Sequence, residues 1–254
     1  MKKNQIKKYE VDLFNQLAFD GEYDLAPNEL YSFILDFLAS SGIRVKGELL
    51  EAGCGNGSFS KALFSDNKGL VTTGVDISPE MVKRANGSRS RNYTAIVGDL
   101  ENNKLFKRNK FDAVLCSLIL HHFPSIDNLL SNLDSWTKDD SFVIGIEPNG
   151  QNLTARISRL IRLMVEFVFG KEYLIKSKMA TPNEVNHSFN EYQRVFIENN
   201  FEIVKCQYFY VEPNLKVDFS IGSLRTLFSR FLKLAFPNSK ISMTNLIFVA
   251  KKRI

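Results

Sequence analysis

The chain has 254 residues, 44% of them apolar and 21 of them Phe, which is enough for one α/β domain with insertions or one domain with a small cap. Its formal net charge of +5 permits contact with anionic lipid or nucleic acid without demanding it, and an ordinary solvated surface accounts for it equally. The widely separated Cys54, Cys116 and Cys206 exclude a disulfide framework, three histidines argue against a metal site, and the lack of a long apolar run or leader points to a cytoplasmic protein.

Taken in order, residues 1–47 read as a helical lead-in, with a polar-aromatic break at Phe19–Leu25 before a helix from about Asn28 to Leu38. The stretch LLEAGCGNGSFS, Leu49 to Ser60, then joins the end of a buried strand to a turn containing Gly53, Gly55 and Gly57, followed by helical composition from Ser58. Strand, glycine turn and helix bring backbone N–H groups to face a ligand. Glycines are needed there because a Cβ would block positive-φ turns and close approach of the ligand. A dinucleotide fingerprint would require Gly or Ala where Ser58 stands, which argues against a nicotinamide-dependent oxidoreductase.

The second strand, from Leu70, closes on Asp76, an acidic residue roughly 20 positions past the glycines and placed to accept from ribose hydroxyls. Ser78 and Pro79 read as the N-cap and first residue of the next helix. The third strand, Tyr93 to Val97, ends in Gly98-Asp99-Leu100, and FDAVLCSLILHHF, Phe111 to Phe123, is a buried strand running into a loop. A fifth strand spans Phe142 to Glu147, preceded by Thr137 to Ser141, whose Asp and Ser suit a turn.

Beyond it, residues 153–169 place Ile157, Leu160, Ile161, Met164, Phe167 and Val168 on one helical face, with Arg156, Arg159, Arg162 and Glu166 on the other. Ser188 and Glu191 form a capping box for a helix ending at Asn199-Asn200. Strands over Phe201–Glu212 and Ile241–Lys251 flank a second amphipathic helix. It is expected to turn Leu224, Leu227, Phe228, Phe231 and Leu234 inward and Arg225, Arg230 and Lys233 outward.

The pattern E-x-G-x-G-x-G from Glu51 to Gly57, then Asp76, Asp99 and the fourth strand, resembles the first four motifs of the class I S-adenosylmethionine-dependent methyltransferases of the small-molecule type. The likeness is good over about residues 45–150 and topological elsewhere. It implies an α/β, Rossmann-like, seven-stranded and mostly parallel sheet in the order 3-2-1-4-5-7-6. Helices cover both faces, and the last strand is antiparallel. The methyltransferase domain would be residues 48–254, with helical insertions at about 151–187 and 213–240, behind a lead-in or lid of residues 1–47 in which Tyr23 is a lid residue or an ordinary loop aromatic.

The same resemblance implies S-adenosyl-L-methionine as cofactor. The turn of Glu51, Gly53, Cys54, Gly55 and Gly57 would lie against its methionine part and Asp76 at its ribose. Asp99 would hold the adenine amine, and Cys116 and Ser117 would line the pocket. Ile77, Met81, Gly98 and Leu100 complete the set. No N-P-P-Y or D-P-P-Y follows the fourth strand, which argues against methylation of nucleic-acid amines.

Methyl transfer from a sulfonium needs alignment and exclusion of water, and a base only for a nucleophile that cannot lose its proton to solvent. His122 and then His121 are the candidates for that role, against a packing role near the cofactor, and Glu147 either orients substrate or caps a backbone N–H. The expected activity is O-, N- or C-methylation of a small hydrophobic or amphipathic acceptor; a non-catalytic cofactor-binding subunit that activates a partner enzyme is the alternative. The two amphipathic helices pack on the sheet, close as a lid over the acceptor, or dock peripherally on an anionic membrane, the lid being preferred to the membrane.

Overall fold

The computed structural model describes residues 3–20, 28–87, 91–170, 173, 185–211 and 221–253. Tyr23 and the side chains of Leu224 and Arg225 lie outside these described positions.

A seven-stranded sheet forms the centre, in the order β3-β2-β1-β4-β5-β7-β6. Its strands are β1 Gly47–Ala52, β2 Leu70–Asp76, β3 Tyr93–Val97, β4 Phe111–Ser117, β5 Thr137–Pro148, β6 Phe201–Phe209 and β7 Asn245–Lys252. The first five pair in parallel, and β7 runs antiparallel to both β5 and β6. This is the sheet the motifs implied. Its central strands are apolar without alternation because both faces are covered. Along β4, Val114 and Cys116 enter the core built with α5 (Asp127–Trp136) and α7 (Phe189–Glu198). Ala113 and Leu115 enter the opposite core, built with α2 (Asn28–Ser40).

The helix α4, Pro79–Gly87, starts where its cap predicts, Ser78 Oγ accepting from Met81 N at 3.2 Å. The Ser188–Glu191 capping box opens α7 as expected. The stretch Thr137 to Ser141 differs: it is the first part of β5 rather than a turn. Between Phe111 and Ala113 of β4, the paired residue on β5 advances from Thr137 to Phe142, and Asp140 takes φ 58°. The turn chemistry is thus spent inside the strand as a bulge, at a residue type that tolerates the left-handed region.

A second difference concerns the amphipathic helices α6, Leu153–Phe169, and α8, Ile221–Ala235. The stripe of α8 was expected to face inward, and packing on the sheet was one of three readings for the pair. Instead Leu160, Met164 and Phe167 of α6 and Leu227, Phe231 and Leu234 of α8 are exposed. Thr154 and Ala155 face the body from α6, and Ser229 and Leu232 from α8. Lys233 was assigned outward, yet its Nζ donates to Pro237 O at 2.7 Å and lies over the Tyr210 ring; Arg230 is half-buried. Periodicity establishes that a stripe is apolar; it does not say which stripe meets the protein.

Candidate functional site

The strand order reverses between β1 and β4, which opens a crevice at the carboxyl edge where α/β sheets bind ligands. The glycine turn stands there. Gly53, Gly55 and Gly57 have φ of 68°, 51° and 70°, the region that favours glycine. The turn is strapped to β2 by Cys54 N donating to Val75 O at 2.9 Å. A Cβ on Gly57 would stand 2.7 Å from the Tyr93 hydroxyl, whereas one on Gly55 would meet nothing within 4 Å. Gly55 therefore faces open space, and a ligand can lie against its bare backbone.

Beside it, Asp76 Oδ2 accepts from Gly55 N at 2.8 Å and Oδ1 from Ser78 N at 2.9 Å. Burial raises its pKa, against the lowering effect of these N–H groups. Ile77 N is a third backbone donor, and the carboxylate still has acceptor capacity for a hydroxyl. The donor set and the open cradle fit the ribose and methionine ends of S-adenosylmethionine.

Glu51 is almost fully buried beneath the turn, where Oε2 accepts from Ser60 Oγ and Tyr93 Oη, both at 2.6 Å. It braces β1, α3 (Ser58–Leu63) and β3 against one another. Cys54 is buried against Val82, Ala85, Tyr93 and Ala95, and burial raises its pKa, so its thiol is no nucleophile. Cys116, expected to line the pocket, is buried in the sheet core, with Ser117 half-buried at the strand end. Ile77 and Gly98 are partly exposed, while Met81 and Leu100 are buried.

The lead-in helix α1, Lys3–Asp20, contributes contacts that the sequence did not signal. Lys7 Nζ is hydrogen-bonded to Asp99 and lies 2.7 Å from Glu101. Asn15 Oδ1 accepts from Ser78 Oγ at 2.6 Å, and the Phe14 ring meets His122 edge-on at 5.4 Å. One helix thereby spans from the carboxylate at the end of β3 to the histidine loop after β4. A lone helical lysine carries no pattern that names its distant partner.

The histidine pair forms a single 3-10 turn, Leu120–His122, and its two members differ sharply. Glu147, fully buried at the end of β5, accepts from Ile119 N at 2.9 Å and Leu120 N at 2.8 Å through Oε1. Its Oε2 lies 2.8 Å from His121 Nδ1. A carboxylate partner assigns the proton to Nδ1 and makes Nε2 the basic nitrogen. Glu147 thus fills one of the two roles read for it, capping backbone N–H groups, and it also holds the His121 ring. His122, placed ahead of His121 as base, is held by Phe14 and His121, and its buried Nδ1 has no hydrogen-bond partner among the described residues. Burial, and then His121, push its pKa down to about 3. The surroundings set the two rings apart: His121 has a carboxylate on Nδ1 and His122 has none there among the described residues.

Residues 50–145 match the family model described as a methyltransferase domain. Among curated proteins, the ubiquinone biosynthesis O-methyltransferase of Actinobacillus pleuropneumoniae serotype 5b is 24% identical over 185 residues, 68% of this chain and 74% of that protein. Its namesake in Haemophilus ducreyi is 28% identical with the same coverage. Among solved structures, magnesium protoporphyrin IX methyltransferase from Synechocystis PCC 6803 with bound S-adenosylhomocysteine superposes with a TM-score of 0.61 at 18% identity, covering 97% of this chain and 99% of that one. A methyltransferase from Archaeoglobus fulgidus gives 0.57 at 18%, covering 87% and 94%.

Proposed function

We propose that the chain is a class I S-adenosylmethionine-dependent methyltransferase that methylates an oxygen of a small hydrophobic or amphipathic acceptor, with His121 as general base. The observation that carries this is the His121–Glu147 pair. The cofactor supplies a methyl already activated on a sulfonium. Nε2 of His121 takes the hydroxyl proton of the acceptor, and Glu147 stabilises the imidazolium so formed. Oxygen is preferred because a hydroxyl holds its proton near neutral pH, where an imidazole base is matched to the task. The O-methyltransferase names of the curated relatives, whose acceptor chemistry belongs to quinone biosynthesis, support the same choice.

Cofactor binding in this reading falls to the turn of Gly53, Cys54, Gly55 and Gly57 over Glu51, to Asp76 with Ile77 and Met81, and to Asp99 with Gly98 and Leu100. Ser117, half-buried at the end of β4, closes the pocket on that side, while Cys116 packs in the core behind it. Residues 1–47 act as its cover. Support for the cover comes from α1, which reaches Asp99 through Lys7 and His122 through Phe14. Asp99 already holds Lys7, so an adenine amine must share or displace that ammonium.

Isothermal titration with S-adenosylmethionine tests the cofactor site. Asp76→Ala is expected to weaken binding roughly ten- to a hundredfold, the loss of hydrogen bonds to a charged acceptor. Unchanged affinity would remove Asp76 from the site. A mass-spectrometric screen of phenolic and other hydroxyl-bearing acceptors tests the reaction, and methylation on nitrogen or carbon alone would overturn the oxygen assignment.

A further inference from the structure

The helices α6 and α8 pack beside each other and present their apolar side chains to solvent. Phe167 is 91% exposed, Met164 68%, Leu234 83% and Phe231 60%. The side chains turned to the body are mostly small or polar, Thr154, Ala155, Ser229 and half-buried Arg230, with Leu232 the large apolar one among the described residues. A surface helix ordinarily does the opposite, and a contiguous exposed apolar face marks an interaction surface.

Charge selects the partner. By sequence the two helices carry six basic residues and one carboxylate, Glu166, but Arg230 is turned to the body and Lys233 is held at Pro237 O. Arg156 and Arg159 are exposed beside the apolar stripe of α6. Two copies meeting on this face would set the same cations against each other. An apolar protein groove would leave them unmatched. A bilayer with anionic headgroups satisfies both features, since it takes apolar side chains into its boundary and cations at its surface.

We propose that the α6–α8 face docks the protein reversibly on an anionic lipid surface. Leu160, Met164, Phe167, Phe231 and Leu234 enter the headgroup–acyl boundary, ~5–10 Å deep, while Arg156 and Arg159 meet the headgroups. The contact is peripheral, because no described helix is long and apolar enough to cross a membrane. Docking stands without any assumption about the substrate. One consequence rests on the acceptor reading above: α6 leaves the sheet just after Pro148, at the edge that carries His121, so an acceptor dissolved in the lipid reaches the site from the docked side.

Flotation of the full chain with vesicles of phosphatidylcholine plus phosphatidylglycerol, and of phosphatidylcholine alone, tests the docking without needing the acceptor. Binding is expected on the anionic vesicles and about tenfold weaker on the neutral ones or at ~0.5 M salt. Phe167→Ser and Phe231→Ser, both at exposed positions, should each lower the partition about tenfold, with thermal midpoint and cofactor affinity retained. Paired Arg156→Glu and Arg159→Glu substitutions should do the same through charge. Protein that stays unbound on anionic vesicles, or serine variants that bind as the parent does, would overturn the proposal. So would a dimer in sedimentation equilibrium that Phe167→Ser dissolves while vesicle binding is absent; that result assigns the face to a second copy.

Discussion

His121 and His122 are neighbours with opposite environments, and the difference gives two measurements. His121 has a buried carboxylate on Nδ1; His122 has aromatic rings and an Nδ1 with no hydrogen-bond partner among the described residues. His121→Asn is expected to lower kcat about 10²–10⁴-fold and to remove the acidic limb of the kcat/KM profile. His122→Phe should preserve that limb. Loss of the limb in the His122 variant instead would reverse the assignment. Glu147→Gln keeps the shape but supplies a weaker acceptor, so kcat should fall while the KM for the acceptor changes little. The second measurement concerns stability. The folded state holds His122 near pKa 3, whereas the unfolded chain takes a proton below about 6.5. Between these values the unfolded state binds more protons, so this contribution is complete above about pH 6.5 and declines as pH falls towards 3. Thermal melts of the parent should therefore drop more steeply on acidification than those of His122→Phe, by up to ~1.4 kcal/mol per pH unit. The raised carboxyl groups of Glu51 and Asp76 act with the opposite sign and are common to both proteins, so the comparison isolates the histidine. Equal slopes would show that His122 is not buried in a neutral form.

At the scale of elements, α6 and α8 break the correspondence between amphipathicity and burial. On α8, Leu232 is buried while Phe231, its neighbour in sequence, is exposed. Leu232→Ala is expected to cost about 2–5 kcal/mol and Phe231→Ser to stay within about 0.5 kcal/mol in denaturant titrations. The reverse ranking would mean that the apolar stripe is the packed one. Helix α1 is the other element whose role is set by what it touches. Its contacts through Lys7, Phe14 and Asn15 are polar or edge-on and involve few buried apolar groups, the profile of a segment that opens at low cost. Limited proteolysis should cut within residues 3–20 in the apo protein and be slowed by S-adenosylmethionine. Equal cleavage with and without the cofactor would separate α1 from the site.

For the whole molecule, binding of cofactor to the folded state alone must raise stability by mass action. At a hundredfold excess over Kd the gain is ~2.7 kcal/mol, which for a chain of this size shifts the thermal midpoint by roughly 5–10 °C. A flat response would contradict a preformed cradle at Gly55. The parallel half of the sheet was readable from the sequence, because its strands announce themselves as apolar runs, β1, β2 and β3 closed by a glycine or an acidic residue. The candidate cofactor residues fall together for a similar reason: Gly53, Gly55, Gly57 and Asp76 sit at strand ends, so chain order places them on one edge. The antiparallel pairing of β6 and β7 came from topology rather than from residues.

What the sequence determined by itself is whatever depends on separations within one βα unit: the turn, the caps at Ser78 and Ser188 and the acidic residue after β2; the strand order came from the family resemblance. Only the tertiary structure decided which of two adjacent histidines has a carboxylate, since Glu147 meets His121 across β4 and β5, 26 positions away. Tertiary structure alone also brought Lys7 to Asp99 across 92 positions and turned the apolar stripes of α6 and α8 to solvent. The physical reason is the same in each case. Local sequence fixes which groups a segment offers, but the energy of an ion pair, a buried imidazole or an apolar face depends on the partner that the rest of the fold places against it.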